Sequence, residues 1–85
     1  RILAQHELAD AGENMVKHCI YWCAKEALIK LHGKKDLFFA DHLNIEPFVQ
    51  TTQGEIIGNI IVDGVKTPVP MHYAVNDAYV LVASL

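Results

Sequence analysis

The stretch Tyr21–Lys35 reads YWCAKEALIKLHGKK. Within it Trp22, Lys25, Glu26 and Lys30 combine an aromatic ring, a carboxylate and two ammonium groups. Trp22, Glu26 and Lys30 recur at i, i+4 and i+8, so on a helix they form one line along a single flank. Such a set suits phosphate chemistry. A carboxylate takes the proton of a hydroxyl nucleophile or holds a hard cation, and an ammonium one turn away neutralises phosphate charge. The same spacing also describes an ordinary solvated flank, where a Glu–Lys pair contributes about 0.2–0.5 kcal/mol to helix stability.

The elements that must position these residues are few. At 85 residues the chain has room for one domain at most, near the size where a single core supplies little net stability. Hydrophobic residues make up 52% of it, a high share for so small an interior, so some apolar surface is expected to meet a partner. The net charge of -3 argues against a general nucleic-acid binder. Yet Lys25, Lys30, Lys34 and Lys35 are four of the seven basic residues, a local concentration able to meet a small polyanion. Lys34 and Lys35, just past Gly33, also suit the negative end of a helix dipole. Cys19 and Cys23, the only cysteines, fall on one side of a helix where a disulfide is awkward. Reduced thiols of a cytoplasmic protein are the natural reading, since structural zinc with His18 would need four ligands. The five histidines show no ligand spacing, and no run has the length of a membrane span or the pattern of a signal peptide.

Ile2–Ala9 has a short helical pattern. Asp10 followed by Glu13 resembles a capping box, which predicts a long helix from just after Asp10 to about His32, ended by Gly33. Val16, Ile20, Cys23, Ala27 and Leu31 form the apolar stripe expected to face a sheet. Beyond a loop holding Leu37, Phe38 and Phe39, four strands are expected at Leu43–Val49, Glu55–Val62, Val65–Tyr73 and Tyr79–Leu85. TTQG, Asp63-Gly64 and Asn76-Asp77 supply the turns between them. Pro68 and Pro70 mark the third strand as an edge or as irregular in its middle. The fold class is α+β, a long helix packed on an antiparallel β-meander.

WCAKEALIK resembles the W-x-x-K-E-[AS]-x-x-K signature of the 4'-phosphopantetheinyl transferase superfamily, here as Trp22, Lys25, Glu26, Ala27 and Lys30. RILAQHEL looks like the family's short helix ending in an acidic residue, HGKKDLFFADHLNIEPF like its helix-to-strand connection, and YAVNDAYVLVASL like its closing strand. The resemblance implies Mg2+-dependent transfer of the phosphopantetheine arm of coenzyme A to a serine of an acyl or peptidyl carrier protein. It assigns Glu26 as magnesium ligand and general base, Lys25 as a second catalytic-motif residue, Lys30 as a contact to a coenzyme A phosphate, and Trp22 as a packing residue. The chain contains no Asp-x-Glu, the family's other source of metal carboxylates. Residues 1–85 therefore resemble the C-terminal lobe of the larger, surfactin-type enzymes, whose site also needs an N-terminal lobe. A second copy is the other partner considered, although it would not by itself restore those carboxylates. The alternative is a non-catalytic helix-on-sheet module that binds coenzyme A, a carrier protein or another subunit.

Overall fold

The computed structural model describes residues 3–32 and 42–85. Helix α1 spans Gln5–Ala11 and helix α2 spans Met15–His32. Strands β1 (Leu43–Ile45), β2 (Gln53–Val62), β3 (Val65–Val75) and β4 (Val80–Ser84) follow. They form one antiparallel sheet in the order β1-β2-β3-β4, with α2 across one face, so the α+β meander is as expected. Gly33, Lys34, Lys35, Leu37, Phe38 and Phe39 lie outside the described residues. Among those described, no helix is long and apolar enough to cross a membrane.

The hairpin at Asp63-Gly64 is the local signal that holds best. Both residues have positive φ, at 53° and 76°, as a two-residue turn between twisted strands requires. Asn76 closes the last turn, its side-chain oxygen accepting from the N–H groups of Ala78 and Tyr79 at 2.8 and 3.0 Å. TTQG is not a turn throughout: Gln53 and Gly54 already pair with Ala74 and Tyr73, and the β1–β2 connection occupies residues 46–52. β1 is correspondingly shorter than the expected Leu43–Val49. Glu46 makes the last ladder bond, its N–H donating to the Ile57 carbonyl at 2.9 Å, and Pro47 after it has no donor.

Pro68 and Pro70 lie within a regular strand and leave the β2–β3 ladder intact. The Pro70 carbonyl accepts from the Leu85 N–H, so Pro70 faces away from β2. Pro68, two residues earlier, faces the same way, beyond the end of β4. The missing donors thus fall on the side away from β2, Pro70's opposite Leu85 and Pro68's beyond the end of β4.

The start of α2 departs from expectation. Asp10 is inside α1, and Asn14 caps α2 by accepting from the Lys17 N–H at 3.0 Å. Asp10 instead holds the Lys17 ammonium at 2.7 Å and accepts from the Tyr21 hydroxyl, tying the two helices together. The buried face of α2 is also rotated from the expected stripe. Lys17, Ile20, Tyr21, Ala24, Lys25 and Leu28 are buried, while Val16 and Leu31 are exposed. Of the expected stripe only Ile20 is fully inside. Leu28 approaches β2 over Gly58, where a Cβ would meet the Met71 methyl at 2.6 Å. Tyr21, Phe48 and Tyr73 pack in sequence as tilted ring pairs, 5.2 and 5.4 Å between centroids, pinning the β1–β2 connection over the core.

Beneath α1 lies a fully buried ion pair. The Lys25 ammonium is 2.6 Å from Glu7 Oε1, and both side chains are wholly inaccessible. Glu7 Oε1 also accepts from the Ala4 N–H, and Oε2 from the Ile45 N–H, each at 2.7 Å. One carboxylate therefore joins the start of α1, the middle of α2 and the end of β1.

Two predictions test this packing. Lys25→Met strands the Glu7 carboxylate and should lower the unfolding free energy by about 3–5 kcal/mol in urea titrations. Burial acts to raise the Asp10 carboxyl, but its bonds from Lys17 and Tyr21 and the Lys17 charge together outweigh it and hold the group below its ordinary value. A lowered folded pKa contributes stability above the unfolded value of about 3.9 and loses it as pH falls through the folded one. The stability gap between wild type and Asp10→Asn should accordingly close in acid, as read from unfolding free energies across that range.

Candidate functional site

Along the flank of α2 that faces β4 runs an open groove of about 320 Å³. Trp22, Cys23, Glu26, Ala27 and Lys30 line it from the helix, and Val80, Leu81 and Val82 from the strand. The helix brings its three residues there because positions four apart share a face. The strand supplies an aliphatic wall because alternate residues of β4, Val80 and Val82, turn toward α2 and pack on the core.

Trp22, Glu26 and Lys30 therefore meet at one cleft, at the border of the core where their spacing put them. Trp22 is 43% exposed, so its ring forms part of the wall and is not a purely internal packing residue. Glu26 is half-buried and Lys30 exposed. No ion pair joins them to each other or to another described residue, although a helical i, i+4 pair is the ordinary expectation. Both charges are thus presented to the groove, in no ion pair with a described residue. Lys25 goes elsewhere: it belongs to the same motif, but its ammonium is buried against Glu7, away from the groove lining.

Cys23 lines the same cleft. Burial, then the neighbouring Cys19 and Glu26, pushes its thiol above the ordinary cysteine value, which suppresses the reactive thiolate. Both cysteines are free.

Glu7 is the residue that sequence reasoning left without a role. Its partner Lys25 lies in another helix, and no periodicity links the two. Two histidines bond backbone carbonyls: His6 Nε2 donates to Ile45, joining α1 to β1, and His18 Nε2 to Gly12, at 3.2 and 2.8 Å. His32 has its Nε2 buried beside a small apolar cavity lined by Ile60, Val62, Val65 and Thr67.

Among the described residues no group of three or more His, Cys, Asp or Glu is placed to hold a metal ion. Among the described residues that line the groove Glu26 is the one carboxylate. It fits Mg2+ as a single protein ligand, because that ion is commonly held by one or two carboxylates together with substrate phosphates and water.

No family model matches the chain, and no curated protein or solved structure matches it. The functional reading therefore rests on the groove and on the motif that lines it.

At neutral pH iodoacetamide should alkylate exposed Cys19 well before Cys23. A ligand seated in the groove should slow Cys23 further and leave Cys19 unchanged, as followed by peptide mass spectrometry.

Proposed function

We propose that this chain is the C-terminal lobe of a phosphopantetheinyl transferase, carrying the phosphopantetheine arm of coenzyme A to a serine hydroxyl of an acyl or peptidyl carrier protein. The observation that carries the reading is the division of charge within Trp22–Lys30. Lys25 is committed to the interior, while Glu26 and Lys30 open on one groove with an aromatic and aliphatic lining. A solvated helix flank does not require that division. A lobe that must hold a carboxylate and an ammonium beside a partly apolar substrate does.

In this account the Glu26 carboxylate, directly or through water, takes the serine proton as the serine oxygen forms its bond to the β-phosphorus of coenzyme A. The bond from that phosphorus to the bridging oxygen breaks, and its electron pair leaves on adenosine 3',5'-bisphosphate. Lys30, one turn along the helix, holds a phosphate oxygen. Magnesium, when bound at Glu26, neutralises charge on the pyrophosphate. Trp22, Ala27, Val80 and Val82 offer the pantetheine arm an apolar surface. Lys25 acts as a positioning residue, fixing α2 so that Glu26 and Lys30 face outward.

A second reading has its own support. With Glu26 the single carboxylate among the described residues of the groove, and no Asp-x-Glu in the sequence, the chain by itself suits a module that binds coenzyme A or a carrier protein without catalysis.

Intact-mass measurement of an apo carrier protein, incubated with coenzyme A and Mg2+, separates the two. The chain joined to a lobe bearing the acidic motif should transfer the arm. Glu26→Gln in that protein should slow transfer by about 100- to 10,000-fold, the usual scale for losing a general base, with folding retained. Transfer at the wild-type rate by Glu26→Gln would overturn the catalytic role. Coenzyme A binding without transfer by the joined protein would favour the binding module.

A further inference from the structure

We infer that the open edge of β4 is a docking strand for a second copy of this chain, paired antiparallel about Val82. The inference rests on the sheet edge and does not depend on the catalytic reading.

The sheet protects its other open edges. β1 has only three residues, and the part of β3 that runs past the β4 pairing carries Lys66 and Pro68. Short length, lysine and proline are the usual means of keeping an edge unpaired. β4 has none of them: VLVAS contains no charge, no proline and no glycine. Its ladder direction is fixed at both ends, where Asn76 N–H donates to the Tyr79 carbonyl and Leu85 N–H to the Pro70 carbonyl. By alternation Tyr79, Leu81, Ala83 and Leu85 face β3, while Val80, Val82 and Ser84 present N–H and C=O groups to the other side. Among the described residues no strand covers them. Tyr79, Leu81 and Leu85 are each more than half exposed along the same strand.

A second copy fits this edge in shape and charge. Antiparallel pairing about Val82 sets Val82 against Val82, Val80 against Ser84 and Leu81 against Ala83, a larger side chain opposite a smaller one on each face. The chain carries a net charge of -3, which opposes self-association in general. The joining surface avoids that repulsion, since the strand is uncharged and the helix flank above it offers one carboxylate, Glu26, and one ammonium, Lys30. The added strand runs along the β4 lip of the groove and covers apolar surface near Trp22.

The test is the mass of the 85-residue chain by light scattering and sedimentation over a wide dilution series, with hydrogen exchange on the same samples. The expected species at high concentration has twice the chain mass of 9.5 kDa. In it the amides of Val80, Val82 and Ser84 are protected, and dilution releases them. Val82→Pro removes an outward donor and part of the packing toward α2, and Leu81→Lys places a charge on an exposed position. Both should be monomers, and Leu81→Lys keeps the test valid should Val82→Pro fail to fold. A monomer at every concentration would overturn the proposal, as would a dimer that survives both substitutions. Protected β4 amides at monomer mass would also overturn it and point to a strand from another partner.

Discussion

A carboxylate and an ammonium buried together constrain this fold more than any apolar contact in it. Desolvating the pair is costly, and the cost is offset only when geometry is close and the remaining lone pairs are bonded. Glu7 meets that condition: Lys25 and the Ala4 N–H share one oxygen, and the Ile45 N–H takes the other. Because those partners come from three elements, the position of α1 against α2 and of β1 against both follows from one side chain. The Asp10–Lys17–Tyr21 cluster repeats the device nearer the surface, again joining α1 to α2.

The same pair sets the rotation of α2. With Lys25 turned inward, its neighbour Glu26 and the residues a turn to either side, Trp22 and Lys30, fall on the flank beside β4. Rotation of the helix toward the stripe Val16–Ile20–Cys23–Ala27–Leu31 would bury Cys23 and Ala27, which now border the groove. The interior thus decides which charges the surface presents. A small chain gains from this arrangement, since one buried polar contact specifies helix orientation where there are few core residues to do so. Lys17 serves in a similar way, its ammonium on Asp10 and over the Phe48 ring, 4.9 Å from the centroid.

Much of the architecture was legible in the sequence because its signals are local. β-branched runs and the Asp63-Gly64 and Asn76 turns placed β2, β3 and β4 within a few residues, and the line Trp22–Glu26–Lys30 followed from helical geometry alone. Errors arose where a residue's partner is distant. Asp10 and Glu13 imitate a cap, but Asp10 is drawn to Lys17 and Tyr21, leaving Asn14 to begin α2. Hydrophobic periodicity could not find the buried face, because two of its members are lysines whose carboxylates lie in α1. For that reason Lys25, which the motif groups with Glu26, belongs physically with Glu7.

Helix α2 divides its three lysines: Lys17 goes to Asp10, Lys25 to the buried Glu7 and Lys30 to the groove. Nitrogen NMR of the side-chain ammonium groups tests this division directly. Lys25 should give a slowly exchanging ammonium signal that shows a hydrogen-bond coupling to the Glu7 carboxylate, while the Lys30 protons exchange with water too fast to observe. Equal, rapid exchange at both lysines, with no coupling to Glu7, would contradict the account.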